Sequence, residues 1–379
     1  MRISVICILL LLLLCLPCSA AWEEGYSLQD LPPEYADMLD GLPEAVRSSL
    51  PKDVFSANAA EQAEALEQFL TPVGVLEYLW NVLSGDLSVP LSCLAAVLGV
   101  LLLRCLLDGM ATGLGGGLSP TFSLLCRLCF CSVLSAQAVA LLSGVCAYFE
   151  ALQQLIYSYL PLISAMYLWG GNVAVATVNQ STLIFSTSLV STLGGASVVP
   201  LFSICLALTL IGAVEGASGS KMAYISGKIK KWYTTALALT MLLLSAILAA
   251  QTTLAARTDS LAFKTVRFVV SSNIPLVGGG VAEMLRSAAT GVSWLRSLVG
   301  VGGVVMLLAL LLPTIGRVLL CRWVCTLGAD AAAWFGCPEE GRLLSELGGL
   351  HGYLLAVVSL CSMTFFFSLI LLLQCATAL

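Results

Sequence analysis

Residues 257–316 read RTDSLAFKTVRFVVSSNIPLVGGGVAEMLRSAATGVSWLRSLVGVGGVVMLLALLLPTIG. A basic amphipathic run leads into Asn273-Ile274-Pro275-Leu276-Val277-Gly278-Gly279-Gly280. A second charged piece follows, and then an apolar span interrupted by Pro313. Proline and consecutive glycines disfavour helix. Backbone that leaves the helix at membrane depth is tolerated only where protein or a water-filled cavity surrounds it. The stretch predicts an all-α, polytopic transmembrane bundle whose function depends on a break in the helix near 273–280.

Composition outside this stretch agrees. The chain has 379 residues, 59% hydrophobic and 10% charged, where a soluble domain carries roughly 25% charged residues. The charge is also segregated. Between Trp22 and Asp86 there are 13 acidic residues against Arg47 and Lys52, while 15 of the 17 basic residues lie elsewhere. The sequence thus joins an acidic N-terminal module to a mildly basic membrane body, without the basic surface that nucleic-acid binding requires.

The first residues have the form of a cleavable signal peptide. Arg2 supplies the positive start, residues 3–16 are apolar, and Pro17 precedes small residues at Cys18, Ser19 and Ala20. The expected organisation is a signal at 1–21, an acidic extracytoplasmic segment at 22–86, and a first transmembrane bundle at 87–252. An amphipathic or re-entrant segment at 253–297 and a C-terminal transmembrane pair at 298–379 complete it. Within the acidic segment, Ala59–Leu70 has helical spacing that places Ala63, Leu66, Phe69 and Leu70 on one face. So short a helix needs a surface to dock on, and a disordered acidic leader is the alternative.

Hydropathy predicts spans near 87–107, 128–149, 154–174, 181–199, 200–216, 232–252, 298–320 and 352–375, each near the 20 or so residues that cross a bilayer. Gly194-Gly195 and Pro200 divide the fourth from the fifth, giving seven or eight spans, with a re-entrant piece as the alternative there. Lys221, Lys228, Lys230 and Lys231, and then Arg317, Arg322 and Arg342, mark cytoplasmic loops. That orientation leaves the acidic segment outside.

Catalytic constellations are sparse. His351 is the one histidine. Cys126, Cys129 and Cys131, and Cys321 with Cys325, lack the four-ligand spacing of structural zinc. Most of the 15 cysteines sit in apolar segments, which suits buried free thiols rather than disulfides. Gly216-Ala217-Ser218-Gly219 looks like the nucleophile motif of rhomboid intramembrane proteases, and a Ser218–His351 pair is the chemistry that reading needs. No phosphate-binding loop is present, so the chain does not itself hydrolyse nucleotide. No cofactor or metal is expected. Ionisable groups at span edges are functional candidates by default; Glu215, Lys264, Arg267 and Arg296 are singled out.

The ordered run Lys264-Thr265-Val266-Arg267, Ile274-Pro275-Leu276-Val277-Gly278-Gly279, Leu295-Arg296-Ser297-Leu298-Val299-Gly300-Val301-Gly302 and Pro313 resembles the stage III sporulation protein AE family of endospore-forming bacteria. The resemblance extends over most of the chain. It implies a multi-pass protein of the mother-cell membrane facing the forespore. It also implies partners among the other stage III A sporulation proteins and stage II sporulation protein Q, in a channel or secretion-like complex whose ATPase is a separate subunit. Family members are not known as enzymes. A stand-alone permease for a small solute and an intramembrane serine protease are the alternative functions.

Overall fold

A computed structural model describes residues 33–51, 54, 59–113, 119–169, 173–215, 220–273 and 278–377. The signal peptide expected at 1–21 lies outside them. The described residues are helical, without a strand. Four short helices come first: α1 (Pro33–Asp40), α2 (Glu44–Ser49), α3 (Ala59–Leu70) and α4 (Pro72–Asp86). The long helices are α5 (Ser88–Gly113), α6 (Ser119–Trp169), α7 (Val173–Val190), α8 (Val198–Glu215), α9 (Ser220–Asn273), α10 (Gly278–Trp334) and α11 (Pro338–Thr377). A π-helical turn, Ser191–Ala196, joins α7 to α8.

The described part of the acidic segment is folded and docked. Leu66 and Phe69 of the predicted α3 face are buried together with Gln62, and Tyr35, Met38, Leu42 and Val46 bury alongside. Gln62 donates from Nε2 to the Tyr35 hydroxyl and to Val54 O, the latter at 3.2 Å. Burial pushes the Tyr35 phenol above its ordinary value, against the opposing effect of the Gln62 bond, so it stays protonated. Thr71 caps α4 by accepting from the Gly74 amide at 3.0 Å, with Pro72 opening the helix. Ser158 of α6 donates to Gly41 O at 2.6 Å, which ties this cap to the bundle. The carboxylates Asp37, Asp40, Glu44, Glu64, Glu67 and Glu77 remain exposed.

Among the described residues, six helices are long and apolar enough to cross a membrane: Pro90–Leu107, Leu124–Leu168, Ala176–Glu215, Lys221–Gln251, Val299–Trp334 and Pro338–Phe367. This corrects two of the expected divisions. The spans drawn at 128–149 and 154–174 lie on one 51-residue helix, α6. At about 1.5 Å per residue it is roughly 75 Å long, and it does not turn back. The residues between them, Glu150, Ala151, Leu152 and Gln153, and Gln154 at the start of the second, are polar in part but all good helix formers, so the polarity marks a wet face and not a loop. The spans drawn at 181–199 and 200–216 run head to tail through the π turn and form no hairpin. Pro200 sits in the first turn of α8, where a missing N–H costs little.

Two helices form the axis. In the 18-residue apolar windows of the α10 and α11 spans, 67% and 72% of residues are buried, against 22–33% in those of the other four. Small residues line their seam. A Cβ on Gly341 would stand 3.3 Å from Ala332 Cβ, one on Gly348 3.6 Å from Cys325 Cβ, and one on Gly328 3.2 Å from Leu344. In lipid, close approach of this kind replaces the hydrophobic drive that water would supply. The described cysteines are free thiols, and eight of the eleven are buried, as expected.

The seam is open to a direct check. The 3.6 Å between Cys325 Cβ and a Cβ placed at Gly348 falls within disulfide geometry. In a chain stripped of its other cysteines, Gly348→Cys should form an oxidant-induced bond with Cys325, seen as altered gel mobility after cleavage near 336. Two free thiols would place the helices apart.

Candidate functional site

Where a helix loses a backbone hydrogen bond inside such a bundle, the orphaned carbonyl needs another donor. At two such places the carbonyl is met by a tyrosine of a different helix; Pro161, inside α6, is a further helix-internal proline. Pro313, inside α10, has no N–H to give to residue 309. Tyr78 of α4 donates to Ala309 O at 2.9 Å. In the π turn, the Ser197 amide reaches back to Thr192 O at 2.9 Å, so it no longer serves Leu193. The Tyr233 hydroxyl of α9 donates to Leu193 O.

The π turn is the centre of a polar cluster built from five elements. Tyr233 stacks edge-on with Tyr353 of α11, ring centroids 5.9 Å apart. The Tyr148 hydroxyl of α6 and Ser362 Oγ of α11 lie 2.5 Å apart. Ser191 donates to Gln153 Oε1 at 2.9 Å; farther along the same helices, away from the turn, Thr182 of α7 donates to Gln251 Oε1 of α9 at 2.8 Å. The buried Tyr353 hydroxyl and Ser359 Oγ have no partner among the described residues. Gly194 makes the approach possible: a Cβ there would come within 2.6 Å of the Phe149 ring and 3.1 Å of Cys361 Sγ. π turns inside α-helices recur at functional sites. Because the cluster joins α6, α7, α8, α9 and α11, a shift of register at Gly194 is felt by all of them.

Charges gather at the end of the bundle away from the cap. Glu339 and Glu340 open α11, where the helix dipole favours carboxylates. Arg104 Nε of α5 lies 3.5 Å from Glu340, and Arg127 of α6 pairs with both Glu339 and Glu340. Lys230 of α9 pairs with Glu346 at 3.8 Å. Buried pairs of this sort add little net stability but fix which helices meet.

Of the residues singled out in the sequence, Glu215 is exposed at the end of α8. Asn273 is the last residue of α9, and Gly278, Gly279 and Gly280 are the first of α10. Ile274 and Pro275 lie outside the described residues, as do the side chains of Lys264, Arg267 and Arg296. Ser218 also lies outside them. His351 is buried, with Nδ1 3.6 Å from Cys325 Sγ. Among the described residues no group of three or more metal-ligating side chains is arranged to hold a metal ion. The sequence reading noticed Gly194-Gly195 and Pro313 as breakers but missed Tyr78 and Tyr233, because nothing local to a tyrosine says which distant carbonyl it serves.

A family model for stage III sporulation protein AE matches residues 61–376. The chain belongs to the stage III sporulation protein AE family. The match runs from α3 through α11, so it takes in part of the cap, the π turn and both helices of the axis. No curated protein and no solved structure matches the chain.

Gly194 and its neighbour separate packing from composition. A Cβ on Gly195 meets nothing closer than Phe149 Cβ at 3.9 Å. Gly194→Ala should therefore cost about 1–3 kcal/mol through overpacking, and Gly195→Ala should cost almost nothing. Thermal unfolding of the two variants in detergent checks this; equal effects would remove the close approach.

Proposed function

We propose that this protein is an integral membrane component of the conduit between mother cell and forespore, required for endospore formation. The match to the stage III sporulation protein AE family over residues 61–376 carries the reading. The six apolar helices supply the membrane body. The acidic cap faces the space between the two membranes, and the charged end with Lys221, Lys228 and Lys231 faces the mother-cell cytoplasm, in keeping with the bias of positive loops. The partners are the other stage III A sporulation proteins and stage II sporulation protein Q. Energy comes from a separate ATPase subunit, since the chain has no phosphate-binding loop.

The gate of this component is assigned to the junction Asn273–Gly280. It links two helices of 54 and 57 residues, and the basic residues Lys264, Arg267 and Arg296 flank it. Long helices change their relative angle at a few terminal or loop residues, with little change elsewhere.

Deleting the gene from a spore-forming host should abolish heat-resistant spores, and the wild-type chain should restore them. A chain with Gly278, Gly279 and Gly280 all replaced by alanine should reach the membrane at normal abundance yet fail to restore spores. Full spore yield from that variant would remove the junction from the mechanism, and normal sporulation of the deletion strain would remove the conduit role. Tagged protein from sporulating cells should co-purify with the partners named above.

A further inference from the structure

One strip of α11 is only partly covered by the bundle. It runs through Ser345, Gly349, Gly352, Ala356, Leu360 and Met363, each partly or fully exposed at intervals of three or four residues. Its lower half has no side chain to speak of, and its upper half is apolar. Two cations stand over the glycines. Lys230 Nζ of α9 is 3.5 Å from where a Cβ of Gly349 would be, and Arg322 of α10 places a guanidinium nitrogen 2.8 Å from that of Gly352. Positions three apart on a helix are about 5–6 Å apart at Cβ, so the two charges lie within about 12 Å of each other. Glu346 occupies one side of Lys230 at 3.8 Å. Among the described residues no carboxylate pairs with Arg322.

The depth is that of a lipid headgroup. Lys228, Lys231 and Trp232 on α9, and Arg317 and Trp323 on α10, are all exposed on the outside of the bundle at this level. Exposed cations and tryptophans together mark the membrane interface. Above it, residues 232–256, 297–316 and 347–379 contain no charged residue. Basic pockets between membrane helices suit phosphate-bearing headgroups.

We propose that this strip holds one anionic phospholipid, its phosphate between Lys230 and Arg322 over Gly349 and Gly352, and one acyl chain along Ala356, Leu360 and Met363. A free phosphate would use only the cations; the apolar continuation of the same strip fits a lipid. The site rests on the chain being a membrane protein and is independent of the conduit role.

The full chain, purified in a neutral detergent, is titrated with phosphatidylglycerol, with phosphatidylcholine, and with inorganic phosphate while thermal unfolding is followed. Phosphatidylglycerol should raise the midpoint by about 5 °C at saturation, with no comparable shift from the other two. The double substitution Lys230→Gln and Arg322→Gln should abolish the shift. Gly352→Ala keeps every charge but sets a methyl against the guanidinium, and it should weaken the shift even if the double variant fails to fold. Equal shifts from both lipids, a full shift from inorganic phosphate, or an undiminished phosphatidylglycerol shift in Gly352→Ala would each overturn the proposal.

Discussion

Inside a bundle that excludes water, a backbone carbonyl without a donor costs several kcal/mol, and at two irregular places in the helices a remote tyrosine meets this constraint. The break at Pro313 is placed where Tyr78 can reach Ala309 O, and the π turn is placed where Tyr233 can reach Leu193 O. Neither irregularity stands alone. The first ties the cap to α10, the central helix, and the second ties α9 to the α7–α8 junction. Irregular backbone thus acts as a set of fastenings between elements far apart in sequence.

The rest of the architecture follows from how the axis can pack. α10 and α11 approach closely because Gly328, Gly341 and Gly348 leave room. The other helices wrap this pair and present most of their surface outward, as lipid-facing helices do. Charge then fixes the ends. Arg104 and Arg127 hold the start of α11, and the docked acidic cap closes the opposite end. The exposed carboxylates of the cap and the exposed lysines of α9 give the molecule opposite signs at its two ends.

Much of this was legible in the sequence for physical reasons. Apolar length alone announced a membrane bundle, and the spacing of Leu66 and Phe69 announced a docked α3. Hydropathy alone does not show that 128–149 and most of 154–174 share one helix. Glu150, Gln153 and Gln154 are polar yet helix-favouring, so α6 runs straight through them. Gly194 and Gly195 were taken for a divider, when a single π turn absorbs them and lets Phe149 and Cys361 come close. The tyrosine donors and the cations over α11 could not be read, since each depends on contacts between different helices that no local pattern announces.

The pairing of a helix break with a remote tyrosine is tested most directly by a double-mutant cycle on Tyr78 and Pro313. Pro313→Ala restores the N–H that Ala309 O lacks, so the tyrosine hydroxyl becomes redundant. Unfolding free energies in detergent should show Tyr78→Phe costing about 1 kcal/mol in the parent chain and close to nothing beside Pro313→Ala. An equal cost in both backgrounds would mean that Tyr78 does not repair the proline break, and the constraint on which this account rests would be wrong.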